Sequence, residues 1–375
     1  MRVDRLVVTG FRSYEELVVE PPPGPQILYG ANAAGKTNLV ESLVVLARGG
    51  SHRAADPELV AWSGDMARLE AGVSHGPAHG PDVLEVVIPR PAAGTAARKR
   101  IRINGVPRRA PALGQALRVV LFAPEEMLLV VGSPALRRAA LDALAAARSP
   151  GHGRALATYG RALAQRNSLL RAIREGTATR DQLPYWDALL VDEGGAIVAG
   201  RLATLADLDG PLAAAHAEIA PGEGRLAMGY VTNAPAEASE SPADAIRRRL
   251  AETADKELWN GATLVGPHRD DIVFRLDDRP LAAFASRGQQ RTAILAYKLA
   301  QLDLLTASVG QPPLLLLDDV FSELDPDRRA HLVRRIQALP QAFITTTALA
   351  DLDPELVAAS TAWRVTAGRV DRTAA

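Results

Sequence analysis

The sequence predicts an α/β fold whose sheet is interrupted by an inserted helical lobe. Three observations predict it. A Gly-rich loop, Gly30-Ala31-Asn32-Ala33-Ala34-Gly35-Lys36-Thr37, lies between a strand-like run and a helix-like run. Far downstream, Leu314 to Leu317 form an apolar run that ends in Asp318-Asp319. Between the two, from about Ala123 to Asn260, alternation gives way to Ala, Leu and Arg at i, i+3, i+4 spacing.

Taken in order, Val3 to Thr9 and Leu17 to Glu20 read as strands, and a Pro21-Pro22-Pro23-Gly24 turn follows. Gln26 to Tyr29 is the strand entering the Gly-rich loop, and Thr37 to Arg48 is the helix leaving it. Arg68 to Val73, Val83 to Ile88 and Lys99 to Ile103 are further strands. Asn104-Gly105 then marks a hairpin turn, because both residues tolerate positive φ. Ala135 to Arg148, Gly153 to Glu175 and Leu183 to Leu205 read as helices, without heptads long enough for an extended coiled coil. Ala234 to Ala243 is an expected exposed loop. After Gly261 the α/β pattern returns: strand Ile272 to Leu276, helix Gln289 to Leu305, buried strand Leu314 to Leu317, helix Ala330 to Leu339 and strand Ala342 to Thr346. The expected domains are residues 1–122, β-rich with the loop; 123–260, the helical lobe; and 261–375, the remainder of the first lobe.

Composition narrows the function classes. The 375 residues suffice for two or three domains, and 47% hydrophobic content is that of a folded chain. Aromatics are only 4%, so Leu, Val and Ala must fill the core. Lys+Arg and Asp+Glu are both 43, so no global field steers the chain to DNA or a membrane. The absence of cysteine excludes disulfides, thiolate catalysis and Cys-ligated metals, and fits a reducing compartment. The N-terminal run carries Asp4 and Arg5 and reads as a strand, not a signal peptide. No apolar stretch approaches the roughly 20 residues that span a bilayer, so a soluble cytoplasmic protein is expected. Only Lys36, Lys99, Lys256 and Lys298 are lysines in a chain otherwise reliant on Arg, which makes Lys36 informative.

The loop fits G-x-x-x-x-G-K-[ST] in the strand–helix context that the pattern requires. Its glycines let successive N–H groups point at phosphates, and the helix N-terminus adds its positive end. Lys36 would neutralise the β- and γ-phosphates, and the Thr37 hydroxyl, with Asn38 beside it, would face the magnesium side of a bound ATP. A buried strand ending in acid supplies the other half: Asp318 to hold Mg2+ opposite Thr37, and Asp319 to polarise the attacking water. Lys36, Asp318 and Asp319 are therefore the catalytic candidates. Ser286-Arg287-Gly288-Gln289-Gln290 opens a helix upstream of the acidic strand. It is a second anion-binding feature that makes sense if it serves a nucleotide held by another subunit, and otherwise a capped helix start.

These elements, in this order, resemble the ABC-type ATPase head shared by transporters, SMC proteins and their DNA-repair relatives. Ser286 to Gln290 resembles the signature loop, and Ser322-Glu323-Leu324-Asp325 the D-loop. An SMC-type head would hold a long coiled coil where this chain has a compact helical segment, and that points to the RecF family of bacterial recombination mediators. Gly10-Phe11-Arg12-Ser13-Tyr14, Ser51-His52-Arg53, Phe122-Ala123-Pro124-Glu125, Gly132 to Arg138 and Gly266-Pro267-His268-Arg269-Asp270-Asp271 extend the resemblance over most of the chain. The Ala-rich middle matches only in character. The resemblance implies an SMC-like α/β P-loop ATPase head with an inserted helical lobe. It implies ATP-driven head-to-tail dimerisation, in which Gly30 to Asn38 of one copy and Ser286, Gly288 and Gln289 of the other enclose each nucleotide. It also implies DNA binding at single-strand gaps and duplex–single-strand junctions during replication, repair and the SOS response, with RecR and RecO as partners.

The sequence departs from that family in two places. Asp319 stands where most ABC ATPases carry Glu, and Thr345 to Thr347 end the strand where transporters carry His; both suit slow hydrolysis. Arg12 and Arg53 resemble phosphate-contacting arginines of related heads, with plain surface charge as the alternative. Glu125 lies near the position of the transporter Q-loop glutamine, and His268 is given no catalytic role. For DNA, Arg98, Lys99, Arg100 and Arg102, followed by Arg108 and Arg109, put positive charge on a hairpin. Arg137-Arg138, Arg247 to Arg249 and Arg334-Arg335 are weaker candidates, and no interleaved aromatics favour base stacking over duplex backbone contact. Two other readings stay open: a nucleotide-gated clamp without significant catalysis, and the ATPase subunit of a transporter.

Overall fold

The computed structural model describes residues 1–76, 80–91 and 98–373, apart from the side chain of Glu323, so that member of the expected D-loop lies outside the described residues. The chain forms two compact units. The first comprises Met1–Glu126, Glu218–Pro221 and the chain from Leu295 onward; the second comprises Met127–Ala217 and Gly222–Ile294.

The first unit begins with β1 (Arg2–Phe11), β2 (Tyr14–Val19), β3 (Gly24–Tyr29) and helix α1 (Lys36–Arg48). Then come β4 (Met66–Ser74), β5 (Asp82–Pro89), β6 (Arg100–Ile103), β7 (Val106–Pro107) and β8 (Val119–Phe122). The second unit contributes helices α2 (Pro134–Arg148), α3 (Pro150–Arg174), most of α4 (Leu183–Ile219) and α5 (Pro242–Asn260), and strands β9 (Leu226–Val231), β10 (Asp271–Leu276) and β11 (Arg279–Pro280). Helix α6 (Arg287–Val309) leads back to the first unit, which closes with β12 (Leu314–Leu317), α7 (Pro326–Gln337), β13 (Gln341–Thr346), β14 (Thr361–Thr366) and β15 (Arg369–Thr373).

Two six-stranded sheets make the first unit, in the orders β2-β1-β4-β5-β6-β7 and β15-β14-β3-β13-β12-β8. The first is antiparallel, and its strands alternate accordingly: Val3, Leu6 and Val8 of β1 are buried while Arg5 and Thr9 are exposed. The second is parallel except for the β14–β15 hairpin, and its central strands are apolar on both faces; all four leucines of β12 are buried. Helix α1 touches β4 and β5 of one sheet and β8 and β13 of the other, which explains why Leu39 to Ala47 are buried without a break.

Several elements differ from expectation. Strand β9 lies inside the stretch expected to be helical, because Ile272 of β10 pairs with Tyr230 and the two strands run antiparallel over their full length. That pairing carries the second unit past the expected boundary at 260 to Ile294. Helix α4 runs to Ile219, well beyond Leu205, and strands β8, β14 and β15 are additional to those expected. The Asn104-Gly105 turn has the expected positive φ at both residues, 52° and 76°. Among the described residues no helix is long and apolar enough to cross a membrane.

Candidate nucleotide site

Parallel strands β3, β13, β12 and β8 deliver their carboxyl ends to one edge of the sheet, the side on which α/β folds build ligand sites. The Gly30–Thr37 loop leaves β3 there. Its curl needs residues without a Cβ: Gly30 has φ 153°, and a Cβ would meet the Val365 carbonyl at 2.3 Å. Gly35, at φ 115°, lets the loop turn into α1 beneath Tyr14, whose buried hydroxyl donates to the Gly35 carbonyl at 2.9 Å. A cavity of about 740 Å³ opens beside the loop, lined by Tyr29 to Ala34, Thr347 to Leu349 and Arg364 to Ala367.

The expected catalytic side chains meet at this edge. Thr37 Oγ1 donates to Asp318 Oδ1 at 3.0 Å across 281 positions of sequence. Thr345 Oγ1, at the end of β13, donates to the same oxygen at 2.7 Å and accepts the Asp319 N–H at 2.9 Å. Asp319 has φ 52°, a left-handed conformation for a non-glycine residue, and Ser322 Oγ donates to its Oδ1 at 3.3 Å. Burial pushes the Asp318 carboxyl up, and the Thr345 and Thr37 hydroxyls only partly oppose it. Lys36 Nζ folds onto its own loop, donating to the carbonyls of Gly30 at 2.7 Å and Ala31 at 2.9 Å. Burial lowers its pKa, while Asp319 and Asp318 pull the other way.

These donors suit magnesium rather than a metal with a full protein cage. Magnesium keeps most of its waters and takes one or two protein oxygens beside the phosphates. Asp318 Oδ2 and the Thr37 hydroxyl offer that number. Among the described residues no cluster of three or more His, Asp or Glu is arranged as a metal site.

Arg12 and Arg53 are not loose surface charges. Both bond to Glu41 of α1, a residue that sequence reasoning missed, although a lone carboxylate in the apolar run Leu39-Val40-Glu41-Ser42-Leu43 signals a buried, paired acid. Between its anchored neighbours, His52 has both ring nitrogens buried with no hydrogen-bond partner among the described residues, and burial lowers its pKa. Asn38 joins the network, donating to Ser13 Oγ at 2.9 Å and accepting from Arg53 at 2.7 Å. Thr345 was expected only as a weak substitute for His, yet it ties together both acidic residues.

In the second unit Ser286 and Gln289 form a reciprocal cap. Ser286 Oγ accepts the Gln289 N–H at 3.2 Å, and Gln289 Oε1 accepts the Ser286 N–H at 3.0 Å. Ser286, Arg287 and Gly288 are exposed. His268 is tied into the unit: its Nδ1 meets the Tyr159 hydroxyl at 2.7 Å, and burial pushes its pKa down to about 4. The rest of its segment anchors the unit, Asp271 pairing with Arg137 and Asp270 accepting from the Tyr230 hydroxyl.

Most of the basic clusters are already engaged. Lys99 is tied to Asp56 and the Gly49 carbonyl, and Arg102 lies 3.5 Å from Glu85. Arg138 donates to the Asp270 carbonyl, Arg247, Arg248 and Arg249 pair with Asp244, Glu240 and Glu252, and Arg335 pairs with Asp303. Among the described residues Arg98, Arg100, Arg108 and Arg109 are exposed and have no carboxylate partner.

Comparison with known proteins finds relatives over the whole chain. The family model described as RecF/RecN/SMC N terminal domain matches residues 2–353. The DNA replication and repair protein RecF of Heliobacterium modesticaldum is 38% identical over 377 residues, covering 99% of both chains. A solved structure of the recombination mediator protein RecF with ATP, from the RecFOR pathway, is 27% identical with a TM-score of 0.89, over 99% of this chain and 97% of that one. The Smc head of Pyrococcus furiosus, at 14% identity and a TM-score of 0.53 over 99% and 95% of the two chains, shares the fold.

Proposed function

This chain belongs to the RecF family of SMC- and ABC-type ATPase heads, and from that premise we propose its mode of action. It binds ATP with magnesium and acts in DNA replication and repair, in the cytoplasm, as a recombination mediator on DNA. The observation that carries the reading is the Thr37–Asp318 hydrogen bond, which brings the phosphate loop and the acidic strand end to one point. Gly30 to Lys36 cradle the phosphates through backbone N–H groups, Lys36 neutralises them, and Thr37 and Asp318 hold the magnesium. The metal, when bound, supplies charge neutralisation for the transferring phosphoryl group. Asp319 orients the attacking water. One methylene shorter than Glu, it does so poorly, which makes hydrolysis slow.

Ser286 and Gly288, exposed at the start of α6, and the half-buried Gln289 close over the nucleotide of a second copy in a C2 dimer that forms with ATP and loosens after hydrolysis. Gapped and junction DNA as substrate, RecR and RecO as partners, and a part in the SOS response complete the proposal. Membership also sets aside the transporter subunit. Sedimentation with and without ATP, and with a short gapped duplex, tests the reading. The mass is expected to double with ATP, and Lys36→Arg to block the shift. An unchanged mass with ATP refutes the dimer.

A further inference from the structure

Helix α1 carries one acidic side chain, Glu41, one turn beyond Thr37 and fully buried. Its two oxygens take four donors. Oε1 accepts from Arg12 Nη2 at 2.9 Å and Ser51 Oγ at 2.5 Å; Oε2 accepts from Arg12 Nε and Arg53 Nη2, each at 2.9 Å. The arginines come from separate loops, Arg12 from the β1–β2 turn at φ 54° and Arg53 from the segment after α1. Burial alone would raise the Glu41 carboxyl, but Arg12, Arg53 and Ser51 hold it at about 2, so it is charged at every working pH.

Two guanidinium groups repel each other, and a shared buried carboxylate is what keeps them side by side. They are only partly covered, with side chains 22% and 25% exposed, while the carboxylate is entirely hidden. The cluster therefore presents net positive charge outward. Arg53 Nη2 also bonds Asn38, the residue after Thr37, and Arg53 feels the charges of Asp318 and Glu125. Its Nε and Nη1 have no partner among the described residues.

We propose that Glu41 is a positioning residue that holds Arg12 and Arg53 together beside the phosphate loop, so that their free N–H groups meet the terminal phosphate of ATP. Glu41 never touches the nucleotide; it acts through the arginines. This rests on the nucleotide site proposed above and deepens it, since it makes the chain's preference for ATP over ADP depend on a residue outside the loop. Glutamine at this position is equal in size but must turn a donor toward donors, releasing at least one arginine.

Calorimetric titration of the full chain with MgATP and MgADP tests this. Glu41→Gln is expected to bind ATP about tenfold more weakly while ADP binding falls by less than about threefold, as the loss of one charge-assisted contact implies. Arg53→Gln, which leaves the Glu41–Arg12 pair intact and folded, is expected to show the same selective loss. The double variant is expected to lose less than the sum of the two single losses, because Glu41 acts through the arginines. Equal losses for ATP and ADP, additive losses in the double variant, or an Arg53→Gln chain with normal ATP affinity each overturn the proposal, the last even if Glu41→Gln fails to fold. Wild type and Lys36→Ala separate the two layers. If wild type does not bind ATP, the site reading itself fails. If only Lys36→Ala loses binding, Glu41 alone is misassigned.

Discussion

Replacing Asp318 by Asn isolates the energetic cost of a carboxylate at the end of β12. Asp318 is 4% exposed, and its Oδ1 accepts from Thr37 at 3.0 Å and Thr345 at 2.7 Å. Burial raises its pKa more than those hydroxyls lower it, so the folded chain holds this proton more tightly than the unfolded chain does. A group raised in this way contributes stability below its unfolded pKa and loses that contribution as pH rises through the folded value. At neutral pH ionised Asp318 is therefore a net burden. Residual desolvation of roughly 5 kcal/mol, offset by two charged-acceptor hydrogen bonds of about 1.5–2 kcal/mol each, leaves about 1–2 kcal/mol. Asparagine keeps Oδ1 for both hydroxyls and removes the charge. At pH 7.5 with chelator, Asp318→Asn should raise the apparent melting temperature by about 2–8 °C for a unit of roughly 200 residues. The advantage should shrink as pH falls through the folded-state value and wild-type Asp318 takes up its proton. MgATP should stabilise wild type more than the variant, because the cation relieves a charge the variant lacks. A variant that melts lower than wild type in chelator, or gains as much from MgATP, refutes this reasoning.

Two further outcomes are expected. Thr345→Val preserves shape but removes the hydroxyl that links Asp318 to the Asp319 N–H and so holds Asp319 at φ 52°. ATP hydrolysis should fall about tenfold while ATP affinity changes by less than about twofold, because the water-orienting carboxylate is displaced and the phosphate loop is not; a steady-state ATPase assay beside a binding titration reads both. On the β6 hairpin, reversing Arg98 and Arg100 to Glu should weaken DNA binding and reduce its salt slope by about two, whereas Lys99→Gln, which breaks the tie to Asp56, should lower stability and leave the salt slope unchanged.

The nucleotide loop was legible because its pattern is local: a strand, glycines where a Cβ cannot fit, one lysine and a helix. Asp318 was legible as the end of a run apolar on both faces, which only a central parallel strand explains. Glu41 left a signal that the motif obscured, an acid inside an otherwise apolar helical run. Strand β9 left almost none. Leu226 to Val231 sits in an Ala-rich stretch with Gly229 at its centre, and it is a strand because β10 lies beside it. Which basic residues of the hairpin are free was illegible for a similar reason. Arg100 and Lys99 are adjacent in sequence, yet Lys99 is occupied by an aspartate 43 positions earlier, and local charge counting does not see that partner.

The site's side chains are tied to one another by internal hydrogen bonds, and that bears on how it works. Lys36 is held by the Gly30 and Ala31 carbonyls, Thr37 and Thr345 by Asp318, and Arg12 and Arg53 by Glu41. A ligand that engages Lys36 or Thr37 must replace their internal bonds, so the net gain per contact is the difference between two hydrogen bonds rather than a whole one. Only a ligand that answers several of them together recovers the loss. A triphosphate with its cation does so: it gives Lys36 and the arginines an anion, and Asp318 a positive charge. A diphosphate or a bare nucleotide leaves part of the set unanswered. On the proposed reading, discrimination for MgATP is expected to arise from internal bonds that weaker ligands do not repay.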